Sequence, residues 1–261
     1  MARTRAFLLF IAVLLALTGC KAFFDFNAFS SLDKAGVPNP SRYQGSGGLA
    51  NLQDDLQSHA IMDALSGDPA TVAIILGHLQ ADYHVTTLDP SNSTEQTAAI
   101  LYSDLALQTT SGDKLVNNVA DLLANPPGNI GSILQSIVPA DVAANPTKFA
   151  NMVGGLLAAN GVYHHLGNTL DPLHPPPGMN MGDTAQKAAV AYLVFKVEDA
   201  VANDPPVLGG GYNPVTEMFE LLNNQPNHIS SGLSTSPANP LNPLPVWLKN
   251  IFDAAGAPYP A

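Results

Sequence analysis

The sequence predicts an all-α fold, an irregular helical domain with an internal duplication, on three observations. Apolar residues recur at helical spacing, no segment sustains the period-two alternation of a half-buried strand, and blocks of sequence recur in order along the chain. Val72, Ile75, Leu76, Leu79 and Tyr83 fall at i, i+3, i+4, i+7 and i+11, which places them on one stripe of a helix. Val215, Met218, Phe219 and Leu222 repeat that spacing, as do Leu248, Ile251, Phe252 and Ala255. Helix starts are expected at Asp68-Pro69 and Asn145-Pro146, a polar cap followed by proline where the missing N–H has no helical partner to lose. Stops are expected at Asn125-Pro126-Pro127 and Asp204-Pro205-Pro206. With 21 glycines and 22 prolines, the helices are expected to be short and often interrupted.

The duplication rests on ordered matches. Thr87-Leu88-Asp89-Pro90 recurs as Thr169-Leu170-Asp171-Pro172, preceded in each case by Tyr-His at Tyr83-His84 and Tyr163-His164. The block at 94–100 recurs at 184–190, and the block at 121–127 recurs at 220–226. The offsets grow from 82 through 90 to 99 residues, as they would if loops of the second copy took insertions. The expected order is two copies of a three-helix unit, 69–144 and 146–244, with partial terminal units. These are Leu49–Gln57, like the third helix, and 245–256, like the first. Stacked units of this kind bury their apolar faces against one another, and the odd pieces cap the ends. The array is loosely similar to helical-repeat proteins and lacks the tetratricopeptide pattern.

The N-terminus carries a different signal. Arg3 and Arg5 precede an unbroken apolar run from Phe7 to Leu17. Spanning a bilayer takes about 20 such residues, so this run fits the core of a signal peptide. It leads into Leu17-Thr18-Gly19-Cys20, which resembles the lipobox of bacterial lipoproteins. The resemblance covers residues 1–20 only. It implies that residues 1–19 are a leader and that Cys20, the sole cysteine, becomes a lipidated N-terminus bearing palmitate-type acyl chains. Two or more acyl chains anchor a protein stably, whereas one holds it marginally. Residues 20–48, with Phe23, Phe24, Phe26, Phe29 and a Gly-rich stretch at 45–48, read as a tether to a body at 49–261. Lys21 after the lipid site resembles lipoproteins directed to the outer membrane.

Composition limits the partners. Without Arg3 and Arg5, eight basic residues face 21 acidic ones, a net charge of −13. Such a surface repels phosphate backbones, so no nucleic-acid partner is expected. Only 12% of residues are charged, against about 25% in an average soluble domain. Gly-x-Ser-x-Gly, His-Glu-x-x-His, the phosphate loop and the dinucleotide fingerprint are all missing. One constellation has ligand chemistry: His164, His165, Asp171 and His174, whose imidazoles and carboxylate suit zinc or another divalent ion. Against it, adjacent histidines on a helix point about 100° apart, residues 166–172 read as a loop, and the first copy lacks counterparts of His165 and His174. The shared aspartate is better explained as a turn cap. The acidic pairs Asp54-Asp55 and Glu198-Asp199 are expected on solvated faces.

The expectation for function is therefore a non-catalytic binding or scaffolding module of the cell envelope. It would be membrane-anchored through Cys20, use no cofactor, and hold an envelope protein or an apolar ligand between its helices. The alternative is an envelope enzyme or metal-binding protein built on the histidine cluster. Cys20→Ser should abolish palmitate incorporation and move the protein from the membrane to the soluble fraction. Undiminished labelling of that variant would refute the lipobox reading.

Overall fold

The structure, a computed structural model, describes residues 36–45, 47–116, 130–203, 213–223 and 244–257. Cys20, the expected leader, the first part of the expected tether and most of the third helix expected for a first copy lie outside these residues, as do the stops expected at 125–127 and 204–206. The protein is all-α, with no strand among the described residues. A 3-10 helix, Pro40–Tyr43, precedes α1 (Gly48–Asp55), α2 (His59–Ser66), α3 (Pro69–Tyr83) and α4 (Ser93–Thr109). Then come α5 (Ile130–Ile137), α6 (Ala140–Ala143), α7 (Pro146–Thr169), α8 (Met181–Asn203), α9 (Pro214–Leu222) and α10 (Val246–Ala255). No single described helix is long and apolar enough to cross a membrane.

Proline starts these helices more often than it breaks them. Four begin at Asn-Pro or Asp-Pro, and in each the cap side chain accepts an N–H that the first turn leaves without a partner. Asn39 accepts from Ser41 N at 3.0 Å and Asp68 from Thr71 N at 3.1 Å. Asn145 accepts from Thr147 N and Lys148 N, both at 3.0 Å, and Asn213 from Val215 N at 2.9 Å and Thr216 N at 3.2 Å. The starts at Pro69 and Pro146 fall where the sequence put them.

The expectation of short helices fails in the second half, where α7 runs for 24 residues and α8 for 23. Helix α3 ends at Tyr83, with His84 in the left-handed region at φ 48°. Helix α7 continues past the matching Tyr163-His164 to Thr169, so residues 166–169, expected in a loop, form its last turn.

Glycine inside α7 allows contact. Helix α7 packs against α4, α8 and α10 and also touches α6 and α9. A Cβ at Gly155 would strike Thr110 Oγ1 and lie 2.9 Å from the Ala106 carbonyl oxygen. A Cβ at Gly167 would strike the Trp247 carbonyl, and Asn250 Nδ2 donates to the Gly167 carbonyl at 2.7 Å. Around these approaches Phe149, Leu156, Tyr163 and Leu166 are fully buried. Helix α10 covers the far end with Trp247, Leu248, Ile251 and Phe252, all buried, and stops at Gly256 with φ 60°. Helix α3 packs on α4 and α7 on α8, while α4 packs on α7 and α8 on α10.

The body begins before residue 49. Tyr43, expected in the tether, is fully buried and donates its hydroxyl to Asp55 Oδ2 at 2.7 Å, with Arg42 3.2 Å from the same oxygen. Asp55 is thus buried and paired, not on a solvated face. Consecutive helix positions point about 100° apart, so Asp54 can face water while Asp55 faces the core. Burial, then the Asp55 hydrogen bond, raise the Tyr43 phenol far above its ordinary range.

Adjacent glycines test the packing account. Gly155→Val should lower stability by about 1–3 kcal/mol, because the obstacle includes backbone that cannot swing aside. Gly154→Ala, where an added Cβ meets nothing within 4 Å, should be neutral or stabilising by up to about 1 kcal/mol. Urea unfolding of both variants checks the contrast, and equal midpoints would contradict it.

Candidate functional site

Helices α2 and α3 meet at an angle of 105°. The bend follows from local chemistry: Asp68 caps α3 and Pro69 has no N–H with which to continue α2. Together with the end of α4 and the first turns of α7, the two helices frame a groove of about 390 Å³. Leu65 comes from α2, and Val72, Ala73 and Leu76 from α3, while Ala150 and Gly154 come from α7.

The groove has no charged side chain in its lining, in a protein with 21 acidic residues. Two of its polar side chains are already engaged. Thr109 and Thr110 donate their hydroxyls to the Leu105 and Ala106 carbonyls, each at 2.7 Å, closing the last turn of α4. Ser66 and Asn151 add polar atoms, and the space above Gly154 is open. With no titratable group in the lining, the groove offers burial of apolar surface with one or two hydrogen bonds, the usual character of a small-ligand site.

The histidine cluster is not assembled as a ligand set. His164, on α7, lies edge-on to Trp247 with centroids 5.7 Å apart, and its Nε2 is 3.3 Å from Asn168 Nδ2. His165 is half-buried; burial first, and His164 second, lower its pKa. The His164 and His165 rings meet edge-on with centroids 5.6 Å apart, and Asp171 and His174 form a separate pair, with Oδ2 2.7 Å from Nδ1. Among the described residues no three His, Cys, Asp or Glu side chains are placed to hold a metal ion. Asp171 Oδ1 also accepts from Leu173 N at 2.9 Å, and Asp89 accepts from Ser91 N at 2.9 Å. The repeated Leu-Asp-Pro is thus a turn cap in both places.

The sequence did not expose one further cluster. Lys187 on α8 is only 8% exposed, yet carries its ammonium between two carboxylates. Nζ lies 2.8 Å from Asp104 Oδ1 on α4 and 2.6 Å from Asp183 Oδ2 one turn earlier on α8. Burial opposes the charge, but the two carboxylates outweigh it and hold the Lys187 pKa above the ordinary 10.5. Asp104 and Lys187 are 83 residues apart, beyond any periodicity signal. The available hint was a difference between two similar stretches of sequence, since Lys187 stands where Thr97 does when 184–190 is matched to 94–100.

Lys187→Met should destabilise the protein by about 3–5 kcal/mol, because it strands a buried carboxylate, and adding Asp104→Asn should recover part of the loss. A raised folded-state pKa means that the stabilisation from Lys187 is present below the unfolded value of 10.5 and is lost as pH climbs through the folded one. Thermal melts of the parent should therefore fall above pH 10.5 more steeply than those of the double variant. No protein-family model matches the chain, and no curated protein or solved structure matches it either.

Proposed function

We propose that this protein is a lipid-anchored lipoprotein of the bacterial cell envelope whose helical body binds a neutral, apolar small ligand without converting it. The observation that carries the binding reading is the uncharged groove between α2, α3, α4 and α7. In a chain of net charge −11, a lining with no charged group selects against ions and favours burial of apolar surface. The groove's lining has no titratable side chain to activate the Ser66 hydroxyl and no set of metal-ligand side chains, which supports a reading without catalysis. The anchoring reading rests on Leu17-Thr18-Gly19-Cys20 and the apolar run before it. Under this reading Cys20 carries the lipid, and Lys21 directs the protein to the outer membrane. The tether then holds the groove close to a reservoir of apolar molecules.

The experiment uses the full chain carrying Cys20→Ser, so that no detergent is needed, and the neutral fluorophore N-phenyl-1-naphthylamine as probe. Its emission should rise saturably on binding. Gly154→Phe, which fills the open space on α7, should abolish that rise while leaving the melting temperature near the parent value. Gly154→Ala should retain it. Equal binding by the Phe variant, or no saturable binding by the parent, would overturn the assignment.

A further inference from the structure

A second depression lies on another side of α4, and its chemistry is the opposite of the groove's. It is a cleft of about 280 Å³ between the end of α1, the middle of α4 and the start of α8. We propose that this cleft is a separate binding site for a neutral, polyhydroxylated ligand, a saccharide unit.

The Lys187 triad is part of its lining and gives it a fixed polar side. An ammonium has three N–H donors, and the carboxylates of Asp104 and Asp183 take two of them. The rest of the polar lining is Asn180 and Thr184, whose side chains are engaged at the start of α8, and three glutamines, Gln53 on α1, Gln57 just after it and Gln108 on α4. No hydrogen bond among the described residues uses the side chains of the three glutamines. Each carboxamide offers both donors and an acceptor, the pattern that matches a hydroxyl, which itself donates and accepts. Leu56 and Met179, both only partly buried, add apolar surface for the C–H face of a ring.

Charge excludes the other small polar ligands. The lining holds one lysine and two aspartates, so an anion meets a net negative charge. A cation meets an ion cluster already closed on its own ammonium. Hydroxyls require neither arrangement to break. The volume sits just below the range of about 300–1,000 Å³ usual for drug-sized ligands, so it suits a single sugar ring, free or within a chain.

The test uses the full chain carrying Cys20→Ser and titration calorimetry with three neutral probes: maltotriose, cellotriose and tri-N-acetylchitotriose. At least one should bind. Gln53→Leu and Gln108→Leu should each weaken that binding about tenfold, as expected for loss of a ligand hydrogen bond. Gln80→Leu, at an exposed position on α3, should leave it unchanged, as should Gly154→Phe. Melting temperatures of the Gln variants should stay at the parent value, since these side chains hold nothing in the fold. Binding of none of the three probes, insensitivity to Gln53 and Gln108, or preference for an acidic trisaccharide would overturn the proposal. Loss of binding in Gly154→Phe would place the sugar in the apolar groove and overturn it equally. Failure of the fluorophore experiment leaves this test intact, because the two sites share no lining residue.

Discussion

The close approach of α4 to α7 at Gly155 sets the geometry of everything around it. With hydrogen in place of a side chain, α7 comes within reach of the Ala106 carbonyl and the Thr110 hydroxyl. That contact fixes where α4 ends, and hence where Thr109 and Thr110 stand at the edge of the apolar groove. It also fixes the height at which Asp104 faces α8, where Lys187 waits. One helix pair therefore positions both depressions, with α10 closing the far end of α7 through the same device at Gly167. Helix propensity opposes this arrangement, since a glycine in a helix interior costs about 0.5–1 kcal/mol relative to alanine. Burial of Phe149, Leu156, Tyr163 and Leu166 along α7 offsets that cost several times over.

The parts of the fold that depend on neighbours in sequence were legible. Asp68-Pro69 and Asn145-Pro146 start helices because a short polar side chain and a locked φ act within three residues. The stripes ending at Tyr83 and Ala255 are helical because burial on one side imposes a period of 3.6. Helix length was not legible, because glycine has two uses that sequence alone does not separate. Gly256 ends a helix through its left-handed φ, whereas Gly155 within α7 and Gly167 in its last turn are contact points. The body's first residues were misassigned for a related reason. Tyr43 lies in a Pro- and Gly-rich stretch, and its anchor, Asp55, is twelve residues away.

The candidate sites were less legible still. The four residues with the most suggestive chemistry divide between an aromatic chain, in which His165 meets His164 and His164 meets Trp247, and a turn cap made by Asp171 with His174. The lining of the groove is mostly Ala, Gly, Leu, Val and Thr, with Ser66, Pro69 and Asn151, types that carry no signal until four helices arrange them. Its character comes from the charge it lacks and from threonine hydroxyls turned back onto their own helix. The Lys187 triad could be anticipated only as a departure between the similar stretches 94–100 and 184–190, and its partner Asp104 has no such mark.

The central claim is that the uncharged groove is where this protein meets an apolar ligand. Amide resonances of the uniformly nitrogen-15-labelled full chain with Cys20→Ser, followed during titration with 1-octanol, test it most directly. The account predicts saturable shifts confined to residues 65–76, 109–110 and 150–154, with the amides of residues 53–57 and 178–187 unmoved. Shifts centred elsewhere, or weak shifts spread evenly over the surface, would contradict it.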